Sequence, residues 1–288
     1  MYSSAFSYFE YHYECSGKAM PKVWRGLKAI ILSFVLVGGL FLTFQLLFFY
    51  KASNQAAWLF CTEVWAHRGL TKDAADNTLE SFSAALKAGA KGLEVDVFYD
   101  IKTDQFHVRH DPKPSLDEGK ELTLAQVFSA FGSSTQYWLD FKNLVDLDNQ
   151  SRQSASQHLI EISENVIERK YILVESVNDH ALRTFTENGF NTSYWVALGS
   201  ELSQWHYALY ATKIKIKYLL GWFTTVSTDV DNYSDRFQYH FPEIPTLLFT
   251  VNEPQKIAEL VQPNIKVVLT DSAIYSQFAS CHQNGGKQ

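Results

Sequence analysis

The chain has 288 residues, of which 46% are hydrophobic and 19% are charged. This is enough for one domain of about 200 to 250 residues and a smaller appendage. Beyond residue 28 the sequence holds 21 Lys and Arg against 29 Asp and Glu. So acidic a surface is unsuited to nucleic acid, and we expect no nucleic-acid partner.

The first predicted element is a transmembrane helix over residues 29–50, AIILSFVLVGGLFLTFQLLFFY, which contain no charged side chain. A run of this length spans a hydrocarbon core of about 30 Å. The alternative is a cleavable signal peptide, but the apolar part of such a peptide is usually only about 7 to 15 residues long. The following YKASNQAAW is also a poor cleavage site, so a retained membrane anchor is predicted.

Basic residues around the anchor predict its orientation. Lys18, Lys22, Arg25 and Lys28 precede it closely, whereas only Lys51 follows it at once. Positively charged flanks tend to stay in the cytoplasm. We therefore expect a single-pass membrane protein with a cytoplasmic N-terminus, whose remaining chain lies on the extracytoplasmic side, periplasmic or extracellular.

From Glu63 onward short β-rich runs alternate with helical stretches, and no Pro-rich, Gly-rich or low-complexity linker divides them. About eight βα units predict an α/β fold, a closed (β/α)8 TIM barrel, with a doubly wound open sheet as the alternative. The predicted division is a cytoplasmic segment (1–28), the anchor (29–50), a linker (51–62) and the barrel domain (63–288). The predicted strands are EVWAHRG, GLEVDVFYD, FHVRHD, YWLDFKN, YILVESV, TSYWVAL, FTTVSTDV, TLLFTVNE and IKVVLTD.

Ionisable side chains lie near the ends of the predicted strands, where both candidate folds bind their ligands. His67 and Arg68 end the first strand. In the second strand Glu94 and Asp96 share the face opposite three apolar residues, because side chains alternate along a strand. Two carboxylates that point into a barrel mouth are costly without a cation. A bound metal ion is therefore predicted.

Two further strands add to this group. Asp140 and Lys142 alternate with apolar residues in YWLDFKN, and FHVRHDP, taken as the third barrel strand, ends at His110. A lone histidine at a strand end is more often a hydrogen-bonded surface residue than a catalyst. Four consecutive strands that each end in ionisable groups nevertheless indicate a catalytic site.

The motifs AHRG, DNTLESFSAALKAGAKGLEVDV and VRHD follow one another in the chain. They resemble the glycerophosphodiester phosphodiesterase family, whose pattern runs HRG, ENT, a helix ending in GA, E-x-D and HD. LDFK resembles the family's E-x-K strand, and FTVNEP and LTD match its later motifs more faintly. The resemblance covers most of residues 64–271.

The resemblance implies a phosphoric diester hydrolase that acts on glycerophosphodiesters or other phospholipid-derived substrates. Such a reaction deprotonates a nucleophile and protonates a leaving alkoxide, which suits two histidines. The oxygen ligands favour one divalent cation, Mg²⁺ or Ca²⁺, over zinc. The implied roles are general acid and base for His67 and His110, phosphate binding for Arg68 and Lys142, and metal ligation for Glu94, Asp96 and Asp140.

Departures from the family pattern leave alternatives open. The family usually has Glu where Asp76 and Asp140 stand. The short stretch between Asp111 and Tyr137 and the D-x-K strand resemble the related phospholipase D toxins of spiders, which act on intact lipids. One alternative is therefore an enzyme that cleaves intact lipids or transfers their headgroups, and another is a catalytically inactive binding ectodomain.

Residues 203–223, SQWHYALYATKIKIKYLLGWF, are rich in aromatic residues and lysines. This composition suits the depth of lipid headgroups. KIKIK also alternates with the period of a strand. We favour a simpler interpretation, an ordinary helix and an edge strand whose lysines prevent edge-to-edge pairing, because lysines commonly protect edge strands in this way.

The three cysteines are Cys15, Cys61 and Cys281. On the predicted topology Cys15 faces the reducing cytoplasm, whereas the other two lie outside, where disulfides persist. Cys61 precedes the first strand at the bottom of the barrel, and the segment after the last strand is long enough to return Cys281 to it. The possibilities are a Cys61–Cys281 disulfide and two unrelated thiols.

Overall fold

The structure is a computed structural model that describes residues 22–55, 61–72, 74–112 and 121–278. The chain divides into two units, Met1–Leu46 and Leu47–Gln288. Most of helix α1 (Lys22–Gln55) lies in the first unit. Its residues Gly26–Lys51, with a mean hydropathy of 2.4, are long and apolar enough to cross a membrane by length and composition. The helix continues to Gln55, into the segment predicted as a linker.

The second unit contains nine strands and seven further helices among the described residues. The strands are β1 (Glu63–Ala66), β2 (Gly92–Asp100), β3 (Gln105–Val108), β4 (Gln136–Phe141), β5 (Ile172–Ser176), β6 (Asn191–Trp195), β7 (Thr225–Asp229), β8 (Thr246–Phe249) and β9 (Ile265–Thr270). The helices are α2 (Leu79–Lys87), α3 (Leu124–Phe131), α4 (Asn149–Ser163), α5 (Asp179–Glu187), α6 (Gln204–Leu219), α7 (Asp235–His240) and α8 (Pro254–Glu259).

Eight of the nine strands form a closed parallel barrel. Going round the ring the order is β1, β2, β4, β5, β6, β7, β8 and β9, and β1 closes the ring because it pairs in parallel with both β2 and β9. Helices follow most of the strands in the chain. The predicted TIM barrel is therefore confirmed.

The barrel has an apolar layer outside the strands and another inside. The outward-facing Leu93, Val95 and Val97 of β2 share a buried cluster with Phe82 of α2. A separate cluster consists of Trp65, Trp138, Leu173, Leu247, Val267 and Leu269. A glycine makes room for this inner packing, because a Cβ on Gly92 would lie 2.1 Å from the Trp65 ring.

The inner apolar layer determines which residues reach the barrel mouth. Because side chains alternate along a strand, the residue two positions after an inner residue points the same way, nearer to the carboxyl end. By this rule four polar residues lie between the inner apolar cluster and the barrel mouth: His67, Asp140, Glu175 and Asp271.

The strand β3 corrects a prediction. FHVRHDP does not contribute a barrel strand, because β3 pairs antiparallel with β2 alone and lies outside the ring. Only residues 101–104 connect the two strands, whereas a parallel crossover needs about a dozen residues or more. The barrel consists of the other eight predicted strands.

The lysine-rich segment gives a second correction. Residues 204–219 form the single helix α6, so KIKIK is helical and not an edge strand. Its buried residues Tyr207, Ala211, Ile214 and Tyr218 recur at helical spacing. The strand-like alternation of lysine and isoleucine is therefore accommodated within a helix.

Cys61 forms a disulfide. Cys15 and Cys281 both lie outside the described residues. The pairing of Cys61 with Cys281 stays a prediction.

Candidate active site

Three carboxylates meet at the mouth of the barrel. Glu94 and Asp96 stand on β2 and Asp140 on β4, and the strand register places Asp96 directly beside Asp140. One oxygen atom from each lies within 4.8 Å of the others. Glu94 and Asp96 are almost completely buried. The sequence-predicted ligand set is thus brought together in space.

Two cations accompany the carboxylates. The Lys142 ammonium contacts both Asp96, at 2.6 Å, and Asp140. The Arg68 Nε lies 2.9 Å from the other oxygen of Asp96. With all three carboxylates ionised, these five side chains carry one net negative charge.

Burial and mutual repulsion perturb the carboxylates differently. Burial, reinforced by repulsion from Asp96 and Asp140, raises the pKa of Glu94 well above its usual value. Burial would also raise the pKa of Asp96, but the Lys142 and Arg68 charges outweigh it and hold that pKa below its usual value. Asp96 is therefore an anion near neutrality, and Glu94 is the carboxylate that a further cation would stabilise most.

The HRG motif forms a tight turn that brings the backbone to the site. Arg68 has φ 56° and Gly69 has φ 88°, in the left-handed region that favours glycine. A Cβ on Gly69 would lie 2.4 Å from the Ser81 hydroxyl oxygen, which also explains why this position is a glycine. The turn lets the backbone N–H of Arg68 donate to Glu94 at 2.9 Å.

Asn77 orients the central carboxylate. Its Nδ2 donates to Asp96 Oδ2 at 2.7 Å, and its Oδ1 accepts from the Asp96 backbone N–H at 3.2 Å. The residue is nearly buried and has φ 56°, a conformation that asparagine tolerates better than most residues. One side chain therefore holds both the backbone and the carboxylate of Asp96.

His67 belongs to a hydrogen-bonded chain. The pairing of Ala66 with Thr270 places the next residues, His67 and Asp271, side by side, and their Nδ1 and Oδ1 atoms are 2.8 Å apart. Asn252 donates to the other oxygen of Asp271 at 3.0 Å. The hydrogen bond with His67, followed by that with Asn252, lowers the pKa of Asp271 against the effect of burial. Asp271 is therefore an anion that accepts from the His67 imidazole.

His110 reaches the same edge of the barrel by another route. The hairpin of β2 and β3 extends above the mouth, and β3 returns toward it, so that the Arg109 N–H donates to the Asp96 carbonyl at 3.0 Å. His110 is the next residue, and its Nδ1 lies 3.1 Å from Asp111 Oδ1. Its imidazole is about half exposed, and its hydrogen-bond partner among the described residues is Asp111 and not a carboxylate of the cluster. His110 lies near the barrel mouth because β3 runs antiparallel to β2 and brings the chain back to Asp96.

The structure brings five of the seven sequence-predicted residues into one connected group around Asp96: Arg68, Glu94, Asp96, Asp140 and Lys142. His67 and His110 join this group through their chain neighbours Arg68 and Arg109. Sequence reasoning assigned no role to Asn77, Asn252, Asp271 or Glu175. The first three lie inside the motifs DNT, FTVNEP and LTD, so their positions carried a signal. Glu175, which is buried beside Asp140 in the register of β4 and β5, lies in a strand with no motif.

The site suits a divalent cation. Its donor atoms are carboxylate oxygens, which hard cations such as Mg²⁺ and Ca²⁺ prefer. A divalent ion beside the three ionised carboxylates and the two cations would give the group one net positive charge. That charge matches the single negative charge of a phosphodiester. Glu94, Asp96 and Asp140 are the residues that would hold the ion.

Comparison with known families gives a match over most of the chain. The model of the glycerophosphoryl diester phosphodiesterase family matches residues 67–274. This range begins at His67 and includes every residue of the site described above. The comparison with curated proteins returned no match.

Many solved structures share the fold. A glycerophosphodiester phosphodiesterase of Thermotoga maritima is 20% identical, with a TM-score of 0.54 over 74% of this chain and 95% of its own. An Oleispira antarctica phosphodiesterase, solved with the product sn-glycerol-3-phosphate, is 18% identical, with a TM-score of 0.57 over 75% and 95%. At this identity the likeness shows the fold alone. By the match to the family model, the chain belongs to the glycerophosphoryl diester phosphodiesterase family, whose members are phosphoric diester hydrolases.

Proposed function

We propose that this protein is a membrane-anchored, metal-dependent phosphodiesterase that hydrolyses glycerophosphodiesters or related lipid headgroup phosphodiesters. The observation that carries the proposal is the cluster of Glu94, Asp96 and Asp140 at the barrel mouth, with Arg68 and Lys142 in contact with it. A bound Mg²⁺ or Ca²⁺ would supply Lewis-acid stabilisation of the charge that develops on the phosphoryl oxygens.

Arg68 and Lys142 are the proposed phosphate-binding residues. Both already point into the mouth, because Asp96 pairs with each of them there. The two carboxylates next to Lys142, Asp140 and then Asp96, raise its pKa despite burial. Lys142 therefore stays protonated over the physiological pH range and presents a fixed positive charge to the phosphodiester.

His67 is one of the two proposed proton-transfer groups. The anionic Asp271 accepts from its Nδ1–H, so a neutral His67 keeps the lone pair on Nε2. In the neutral ring, Nε2 can take a proton from a nucleophile. In the protonated ring, the N–H at Nε2 can give a proton to a leaving alkoxide. In both cases the hydrogen bond to Asp271 holds the ring in one orientation.

His110 is the second proposed proton-transfer group. Its Nδ1 also lies against a carboxylate, that of Asp111, so its Nε2 has the same two options as that of His67. One histidine as base and the other as acid would supply the two proton transfers of a displacement at phosphorus. Which of them acts first depends on the orientation of the substrate.

The family and one structural relative support the proposed substrate class. The phosphodiesterase of Oleispira antarctica was solved with the product sn-glycerol-3-phosphate. A product of this kind supports a glycerophosphodiester as substrate here.

An assay of the purified full chain tests the proposal. We expect hydrolysis of glycerophosphocholine, glycerophosphoethanolamine, lysophospholipids or sphingomyelin, and product analysis separates hydrolysis from transfer, which yields a new diester. His67→Ala and His110→Ala should each lower kcat about 100-fold or more, whereas His180→Ala, an exposed histidine on α5, should not. Activity of both site variants within a few-fold of the wild type would refute the assigned roles.

We also propose that the N-terminus is cytoplasmic and that the catalytic domain lies on the extracytoplasmic side. The asymmetry of basic residues around Gly26–Lys51 supports this orientation. Protease added to intact cells or spheroplasts should digest the domain and spare a tag at Met1. Digestion of the tag with survival of the domain would refute the orientation.

A further inference from the structure

Helix α6 presents apolar side chains on the face that points away from the barrel. Its inner face consists of Tyr207, Ala211, Ile214 and Tyr218, all buried. On the opposite face four large apolar residues are exposed, which we call the outer stripe: Trp205 (87% exposed), Leu209 (52%), Ile216 (43%) and Leu220 (66%). Leu220 is the residue that directly follows α6. At about 100° per residue, the four positions fall within about 60° of one another around the helix axis.

The outer stripe differs from the other exposed apolar residues. Outside α1, the remaining large apolar side chains exposed in the described part of the second unit are scattered over separate segments, apart from Tyr210, which borders the stripe. Single exposed apolar residues are normal, whereas several on one helix face indicate an interaction surface. The scattered residues are Ile101, Val145, Val166, Val177, Tyr239 and Val261.

Basic and aromatic residues border the outer stripe. Lys213 is exposed and its Nζ lies 5.4 Å from the centre of the Tyr210 ring. Lys217 lies one turn further along and pairs with Asp179. Lysines and amphipathic aromatic rings beside an apolar row are the composition of helices that lie at the level of lipid headgroups.

The carboxyl end of α6 is attached to the last turns of the candidate membrane span. Within the unit Leu47–Gln288, Phe48 is buried against Tyr218, with ring centres 5.7 Å apart. The Lys51 ammonium donates to the backbone carbonyls of Tyr218 and, at 3.1 Å, Leu219. The residues where the span ends are therefore in direct contact with the residues that precede Leu220 of the outer stripe.

We infer that the outer stripe of α6 is a membrane-contact surface that inserts into the headgroup region of the bilayer entered by α1. This inference rests on the proposed membrane anchor. A lipid surface is the occupant that fits. Leu220 directly follows the residues that contact the end of the span. The stripe has four exposed apolar residues, with the uncharged Thr212 between Leu209 and Ile216, and lysines lie at its border. Such a contact would hold the barrel against the membrane beside its anchor.

Depth-dependent fluorescence quenching in the full chain tests the inference. An environment-sensitive fluorophore is attached to Leu209→Cys in the outer stripe, in a chain that also carries Cys15→Ser. Labelling without a reducing agent preserves the disulfide of Cys61, and the chain without an introduced cysteine gives the background. The protein is reconstituted in phosphatidylcholine vesicles with either spin-labelled lipid or aqueous iodide as quencher.

Two matched positions serve as controls. Leu42→Cys lies within the candidate span. Lys87→Cys is exposed on α2, which follows β1, four strands round the barrel from the β6 that precedes α6. We expect spin-labelled lipid to quench the probes at 42 and 209 at least about threefold more than the probe at 87, with the opposite order for iodide.

The possible outcomes distinguish the membrane contact of the outer stripe from the membrane anchor on which it rests. Lipid quenching at 42 but not at 209 would overturn the membrane contact and leave the anchor intact. If neither quencher reached the probe at position 209, the membrane contact would be overturned in favour of a protein partner. Lipid quenching at neither position would refute the anchor and the inference with it. Circular dichroism of each variant must match that of the parent chain.

Discussion

At the scale of single residues, the metal-ligand candidates were predictable because they depend only on strand alternation. Glu94, Asp96 and Asp140 follow from the period of two in β2 and β4, and the register of parallel neighbours brings them together. The role of Asn77 was not predictable, because its contacts with Asp96 depend on a left-handed turn that brings residues 19 positions apart together.

Asn77 supplies the first prediction. Asn77→Ala should lower the affinity for Mg²⁺ or Ca²⁺ about 10- to 100-fold, since groups that orient a ligand typically contribute this much. The measurement is the metal concentration that gives half-maximal activity, together with direct calorimetric titration. Asn165→Ala is a matched control, because Asn165 also has a positive φ of 62° but is exposed and remote from the site. An unchanged metal affinity in Asn77→Ala would contradict its proposed role.

Glu175 supplies a prediction about pH. Burial, reinforced by the Asp140 charge, raises its pKa well above the ordinary 4.5, and Ser227 only partly offsets this. The folded state thus keeps a proton that the unfolded state releases above about pH 4.5. Stability from this group is present below that pH and is lost as pH rises toward the folded pKa.

Glu175→Gln removes this titration. In chelator-treated protein the variant should be more stable than the wild type at pH 8, by ~1 kcal/mol or more, and the difference should shrink toward pH 5. Urea denaturation between pH 5 and pH 8 measures it. Glu161→Gln, at an exposed position on α4, should show no such trend. A difference independent of pH would contradict the raised pKa.

At the scale of elements, all nine strands were predicted, but the direction of one was wrong. The run FHVRHDP has the composition of a strand whether it runs parallel or antiparallel to β2, so composition could not decide. The connection of four residues, 101–104, did carry the information, since it is too short for a crossover. Likewise, KIKIK fits the period of a strand locally, and only the burial of α6 residues at helical spacing shows the helix.

The hairpin yields an element-scale prediction. Phe106 of β3 packs against Tyr99 and Phe141, with ring centres 5.1 and 5.3 Å apart. Phe106→Leu should loosen β3 and lower kcat about tenfold through a displaced His110, with an unchanged metal requirement. Steady-state kinetics and metal titration check this.

Phe190→Leu is the matched control, because Phe190 is equally buried and packs beside α5. This variant should lower the free energy of unfolding by a similar amount, ~1 kcal/mol, and leave kcat unchanged. Equal kcat in both variants would contradict the account.

At the scale of the whole molecule, the closed barrel was predictable because about eight alternating units in one chain limit the topology to few choices. The contacts between the last turns of α1 and α6 could not be predicted from the sequence, because Phe48 and Lys51 contact residues some 170 positions away. The pairing of Cys61 with Cys281 stays a prediction, which mass spectrometry of the non-reduced protein can check.

The central claim is that the carboxylate cluster at the barrel mouth makes phosphodiester hydrolysis depend on a divalent cation. Its most direct test is hydrolysis of a glycerophosphodiester by the full chain in excess EDTA and after addition of Mg²⁺ or Ca²⁺. The account predicts that turnover is lost with the chelator and restored by one of these ions, because Glu94, Asp96 and Asp140 offer only oxygen ligands. Full activity in excess EDTA would contradict it.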